Sequence, residues 1–497
     1  MTATTVPVAE GPRKSGLAPA IFALSRFEGR MMLRHPLTLI GALGAAGWAV
    51  YALWEEAPVL NRVSVTLGWT MLPLAFATSM VAGWAVLRAK GRSDANPPMV
   101  MPIGMSQRMG GILVGLAYPA AAAFVVQMLV LGWVMSRSPV TSMVWTEVLA
   151  GPVYVMFAGA VGAAMTRWMP HPSTPLFAVL VLGGLMISFP YRSEDWGSRI
   201  GVEWLSPLAR PQDIIPYELA FRPAGLHLAY LSALTLLIAG LAMLGRWPVG
   251  WTLLGVGLAV VVTTGPAQLG PIEESTRTEA MSQLVGDNAD LKCETNDGID
   301  FCAMPGYEGW IEEWATAVQP VVSVTPTEVR EGLEVRQYPV HYTFLFGAGD
   351  LGEGNWWWVE SAADDYFARE AVSVGSTWAR WTITDLIRGV SLAAMGCRQI
   401  ADECQGESQQ VVLVWLLAHD ARSAEYLFYD GEHAGSAYVW TCMVTDFWGN
   451  PDGVSIIRDN WSVLTDPATT YQEAGEIIGV AVPSGSDETG FLETACP

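Results

Sequence analysis

Arg246–Gly270 reads RWPVGWTLLGVGLAVVVTTGPAQLG, and its reading decides the fold. A near-continuous apolar run follows Pro248, from Val249 to Val262, and no charge falls between Arg246 and Glu273. At 1.5 Å per residue, roughly 20 residues from Pro248 are long enough to cross a hydrocarbon core of about 30 Å. The chain ahead of this run has the composition of a membrane protein, and the chain behind it that of a secreted one. Arg246–Gly270 therefore reads as the last transmembrane helix, the point where the chain leaves the cell, with the rest organised around it.

Splitting the 497 residues there separates two polypeptides. Residues 1–269 hold 17 Lys+Arg and 11 Asp+Glu, net +6, and residues 270–497 hold the other 10 and 37, net −27. All six cysteines, Cys293, Cys302, Cys397, Cys404, Cys442 and Cys496, fall in the second part. An even count confined to one segment points to disulfides in an oxidising compartment; six buried thiols are the alternative. The acidity of this part argues against nucleic-acid binding and against docking on anionic lipid.

Earlier in the chain, residues 1–16 are polar, without a cleavable apolar segment, and are not expected to act as a secretory signal. In 17–35 (LAPAIFALSRFEGRMMLRH), Ile21, Phe22, Leu24, Phe27, Met31 and Met32 recur at helical spacing against a stripe of Arg26, Arg30 and Arg34. This predicts an amphipathic helix along the cytoplasmic interface, in contact with membrane lipid, or else an ordinary surface helix. Spans are expected at about 37–54, 65–87, 111–135, 148–166, 175–190, 226–244 and 248–268, seven in all. Trp48, Trp54, Trp84, Trp133, Trp168 and Trp247 mostly fall toward span ends, where indoles suit the headgroup layer. With the N-terminus inside, eleven basic residues lie on inner segments and six on outer ones, and eight of eleven acids lie outside. Basic residues favour the cytoplasmic side, so the N-terminus is expected inside and residues 270–497 outside.

Two connections are long. The inner one, 88–110 (RAKGRSDANPPMVMPIGMSQRMG), has room for a short surface helix over Met99–Met109. The outer one, 191–225, carries Trp196, Trp204, Tyr217 and Phe221 among prolines and suits short helices at the outer leaflet. No span shows a clear interior charge, which disfavours a proton- or ion-driven carrier. No GxxxxGK[ST] occurs, so the chain has no phosphate loop of its own for ATP.

This layout resembles the ABC-2 type permease family of ABC exporters over residues 17–245. The resemblance rests on the helix before the first span (FALSRFEGRMMLRHPLTL, 22–39), the element between spans 2 and 3, and the outer structure between spans 5 and 6. It implies an ABC-2 permease-like membrane domain that pairs with a second permease copy or homologous subunit. It also implies a separate cytoplasmic ABC ATPase, which would hold the ATP and Mg; the chain itself is then not an enzyme and needs no cofactor. By position, Arg26, Glu28, Arg30 and Arg34 would sit near the ATPase face, and Arg88, Arg92 and Arg108 would flank the coupling loop. Each arginine also fits a plain inner-leaflet anchor. Residues Cys293–Trp314 (CETNDGIDFCAMPGYEGWIEEW) resemble outer domains of some bacterial permease-like proteins.

The expected organisation is a cytoplasmic tail and interfacial helix at 1–36, a polytopic α-helical membrane domain at 37–269, a linker at 270–290, and an extracytoplasmic α+β domain with disulfides at 291–497. Cys293 and Cys302 bracket Asn296, Asp297 and Gly298, which suits a bridged hairpin. Trp310, Ile311, Trp314, Val318 and Val321 predict a helix. Residues 334–347 read as a strand or hairpin, and 359–373, 375–396 and 409–428 as helices. Asp466-Pro467 reads as the start of a helix to about Val480. Cys397 and Cys404 are close enough for a local bridge, leaving Cys442 and Cys496. His419, with Asp420 and Glu425, lacks the paired histidines of a zinc protease and reads better as a surface residue. Trp356, Trp357 and Trp358 cannot all face one core; they form either an exposed aromatic platform or a packing surface against the outer loop. Two other functions fit the chain: a membrane-anchored binding or assembly protein of the cell surface, and an extracytoplasmic enzyme on a permease-like anchor.

Overall fold

The computed structural model describes residues 17–54, 58–95, 104–188, 205–208, 223–245, 248–269, 291–331, 333–337, 371–374, 380–397, 406–419 and 450–482, with Val444 and Phe447. Six helical stretches are long and apolar enough to cross a membrane. They are α2 (Pro36–Leu53); α3 (Leu60–Trp69) continued by α4 (Leu72–Ala95); α5 (Met105–Gly115) continued by α6 (Ala117–Val134); α7 (Trp145–Trp168); α9 (Ala224–Met243); and α10 (Pro248–Gln268). The fifth expected span appears as α8 (Thr174–Ser188), apolar but only 15 residues long. Pro175 takes the second position of α8, where its missing N–H costs no intrahelical bond; the described residues stop at Ser188.

Two of the six stretches are broken where a proline removes a ladder donor. Pro73 cannot bond the carbonyl of Trp69, and the chain turns at Thr70 and Met71 between α3 and α4. Pro119 leaves the carbonyl of Gly115 in the same position, and α5 gives way to α6 at Leu116. The separate surface helix expected over Met99–Met109 is not borne out across its described part: Met105–Met109 is the first turn of α5, and Met109 is fully buried.

The bundle is built around α7 rather than around Arg246–Gly270. Helix α7 packs against α3, α4, α5, α6, α8 and α9, and most of its residues from Glu147 to Thr166 are buried. Small residues make this approach feasible: Gly151, Ala158, Gly159, Gly162 and Ala163 are all buried, and a Cβ at Gly162 would collide with the backbone carbonyl of Ser79 on α4. Helix α10, by contrast, is only 17 % buried and packs chiefly on α9. Its buried positions are Gly250, Gly257, Gly265 and Gln268. Val249, Trp251, Val256, Leu258 and Val262 are exposed and present an apolar surface to its surroundings.

Beyond α10, a four-stranded sheet runs in the order β1 (Lys292–Asn296), β2 (Ile299–Ala303), β3 (Glu334–Gln337), β4 (Ala371–Val374). Strands β1 and β2 form an antiparallel hairpin; β2–β3 and β3–β4 are parallel. Asp297 (φ 51°) and Gly298 (φ 84°) occupy the two central positions of the hairpin turn, a left-handed pair suited to strand twist. Cys293 and Cys302 stand opposite each other and are disulfide-bonded, as their spacing predicts.

Seven helices accompany the sheet: α11 (Ile311–Val324), the short α12 (Thr327–Arg330), α13 (Arg380–Ala394), α14 (Glu407–Ala418), α15 (Gly453–Asp459), α16 (Trp461–Leu464) and α17 (Tyr471–Ile478); α11 packs on β2 and α13 on β4, and α14 joins α11 and α13 to α16 and α17. The expected face of α11 is the buried one, with Trp310 and Trp314 in the middle of the core. Residues 371–374, expected at the end of a helix, form β4 instead. AVSV is short and rich in valine, and pairing with β3 overrides its local preference. The last helix starts at Tyr471, not at Asp466. Thr470 and Glu473 form a reciprocal capping box there, and Gly479 (φ 75°) closes the far end.

Candidate functional site

The described residues concentrate polar interactions at the two ends of the bundle. One end carries α1 (Leu17–Leu33); the other carries the sheet domain. At the α1 end, α1 crosses α5 at close range. A Cβ added at Gly115 would stand 3.1 Å from the Gly29 nitrogen and 3.2 Å from the Ser25 carbonyl oxygen. Gly29 itself lies under the Tyr118 ring, and Gly111 under Leu24. Glu28 is buried on the same face and pairs with Arg88 of α4 at 3.3 Å, with side-chain exposures of 8 % and 33 %. Arg108 donates to the Ala89 carbonyl at 3.3 Å, joining the start of α5 to α4. Three of the residues expected at the coupling face thus hold α1, α4 and α5 to one another. Arg26 and Arg30 lie on the exposed side of α1, and Arg34 is exposed in the turn just after it. Arg92 lies on α4, with its side chain outside the described residues.

At the other end, Arg137 donates to the carbonyls of Leu53 and Trp54, closing the C-terminus of α2. Its guanidinium also sits 4.9 Å from the centroid of Trp133, which stacks on Trp54. His227, fully buried on α9, lies 2.9 Å from Gln268 Oε1 on α10 through Nδ1 and 3.1 Å from the Pro207 carbonyl through Nε2. Glu147 lies in the first turn of α7 and is 3 % exposed. The span expected at about 148–166 begins just past this carboxylate and shows no interior charge. Helix α7 begins three residues earlier and carries the carboxylate inward; an acid in a first turn was the signal to use. Deeper in the bundle, Gln127 donates to the Leu67 carbonyl at 3.1 Å beside Gly151. The Tyr154 hydroxyl is buried without a hydrogen-bond partner among the described residues.

The sheet domain joins this second end through a built seam. Val59 and Val140 pair as a parallel bridge between the α2–α3 and α6–α7 connections, and both belong to the sheet domain's apolar core with Tyr307, Trp310 and Trp314. Thr141 donates its N–H to the Gly306 carbonyl at 2.8 Å. Its φ of 66° is unusual for a β-branched residue. Asn61 hydrogen-bonds Tyr307, whose hydroxyl pKa is raised by burial and partly brought back by that bond. Nothing in the local sequence of Val59, Asn61 or Thr141 announces contacts to residues about 165–250 positions away by the long reach that folding permits.

Of the cysteines, Cys293 and Cys302 pair with each other, and Cys397 is also disulfide-bonded. Its partner lies outside the described residues, as do Cys404, Cys442 and Cys496. Trp356, Trp357 and Trp358 lie outside them too. His419 caps α14, with Nδ1 2.8 Å from the Trp415 carbonyl and its ring edge-on to the Trp415 indole. Burial lowers its pKa, against an opposing contribution from the Trp415 carbonyl. Among the described residues, no three His, Cys, Asp or Glu side chains converge as a metal set.

Compared with protein-family profiles, with curated proteins and with solved structures, the chain matches none.

Proposed function

We propose that this chain is the membrane subunit of an ABC-type exporter, with its N-terminus cytoplasmic and residues 291–497 extracytoplasmic. In this reading α8 completes a seventh crossing, a second copy or homologous permease pairs with the bundle, and a separate ATPase supplies ATP and Mg. The supporting observation is the fastening of α1 to the helices flanking the 88–110 connection. The Gly29–Gly115 crossing and the buried Glu28–Arg88 pair join α1, α4 and α5. A push delivered at that connection would therefore move all three together. The basic residues gathered at the α1 end and the disulfides at the sheet-domain end agree with this sidedness. The sheet domain would then cap or gate the exit.

The seam favours a second reading, in which the bundle anchors and orients a cell-surface binding or assembly domain without transport. Purification in mild detergent, with mass spectrometry of the retained proteins, separates the two. An ATPase subunit recovered in fixed proportion, and lost on substitution within 88–110, supports the exporter. A preparation that contains this chain alone and still binds its surface partner supports the anchor.

A further inference from the structure

The geometry points to the exposed face of α1 as a docking site for anionic phospholipid headgroups. Phe22, Arg26 and Arg30 are four residues apart and share one stripe of α1, which Arg34 continues in the turn just past Leu33; Phe27 and Met31, also four apart, lie on the neighbouring stripe. All six are exposed, Phe22 by 58 % and Phe27 by 51 %. The opposite face is the one committed to protein: Leu24 packs on Gly111, Gly29 on Tyr118, and Glu28 pairs with Arg88. Helix α1 therefore cannot roll to hide its aromatic rings without breaking that packing.

An exposed stripe of guanidinium groups flanked by apolar side chains asks for a partner that is anionic and apolar at adjacent depths. A leaflet containing acidic lipid is such a partner. Continuity supports it: α1 turns at His35 directly into α2, where Leu39, Ile40 and Leu43 are exposed along a helix long enough to cross the bilayer. The apolar edge of α1 thus meets the lipid-facing side of α2. Arg26 lies 5.3 Å from the Phe22 ring centroid, so that the guanidinium and the ring are held together at the surface. This inference goes beyond the exporter reading and does not rest on it, because it concerns the leaflet and not the ATPase.

The test uses the full chain extracted from bilayers of equal phosphatidylglycerol and phosphatidylcholine with matched acyl chains. The lipids retained after detergent purification are quantified by mass spectrometry for wild type, R26Q/R30Q/R34Q and R26K/R30K/R34K. Wild type should be enriched in phosphatidylglycerol, and the glutamine variant should lose about fivefold of that enrichment while the lysine variant keeps most of it. In parallel, a salt series on wild type should erode the enrichment, a measurement that does not depend on how the variants fold. Equal enrichment in wild type and the glutamine variant, or a salt-independent preference, overturns the proposal. So does an unchanged lipid ratio with loss of a copurifying protein, which would make this face a protein contact. Loss of an ATPase at 88–110 variants alone would leave the lipid result standing, so the two readings fail separately.

Discussion

Helices α7 and α10 are both apolar, both long enough to span a bilayer, and free of charge through their middles, yet one is the axis of the bundle and the other its rim. The difference lies in where their small residues fall. Glycine and alanine are spread around α7, so neighbours can approach from several directions. On α10 the buried glycines lie along one side and, among the described residues, meet chiefly α9. Hydropathy measures the fitness of a segment for lipid; the distribution of small residues decides how many helices it can touch. Close packing of this kind replaces the hydrophobic drive that lipid abolishes between helices.

The sharpest way to break this comparison is to put the same side chain on both helices. Gly162→Leu drives a side chain into the Ser79 backbone, and should cost roughly 3 kcal/mol or more, seen as loss of a monodisperse peak and of a thermal transition in detergent. Gly255→Leu on α10, which has nothing within 4 Å, should leave both unchanged. Equal damage from the two would mean that α10 has an inner role as well. Next in size is Gly257→Leu, whose added atoms meet the backbone of Leu237 and Ala233. A loss of about 2 kcal/mol is expected, with proteolysis opening α9–α10 before the α7 core.

Glu28→Gln should have a smaller effect, about 1 kcal/mol, because Arg88 is one-third exposed and can rehydrate. Hydrogen exchange should show faster opening of α1 with α7 unaltered. The smallest effect belongs to the sheet domain. His419 is held neutral by burial, so the unfolded chain binds more protons once pH falls below the ordinary value of 6.5. Stability present above pH 6.5 should therefore decline as pH drops toward the lowered native value. His419→Gln should flatten that slope in a melting series from pH 7.5 to 5.

How much of this was legible depends on the range of the interaction. The apolar runs, the bridged Cys293–Cys302 hairpin and the buried stripe of α11 are local patterns, and all could be read directly. So could the long apolar stretches: six meet the length among the described residues, and α8 lies where the remaining span is expected. What failed was non-local or was a choice between two local signals. Thr470 with Glu473 outcompeted Asp466-Pro467 as a helix start, since a reciprocal cap satisfies two amides. Strand β4 exists because β3 offers it a ladder. The pairing of Glu28 with Arg88 spans 60 positions, and the centrality of α7 follows from six neighbours that no window along the chain can see.

Val59 and Val140 carry a practical message for anyone wishing to handle the sheet domain by itself. Both belong to its oily interior, yet they are donated by loops of the bundle far upstream. A fragment cut after α10 would leave two vacancies in the lining and an unsatisfied Gly306 carbonyl where Thr141 had been. Such a fragment should aggregate or melt early unless both loops are replaced by apolar substitutes, so expression trials belong with the intact polypeptide.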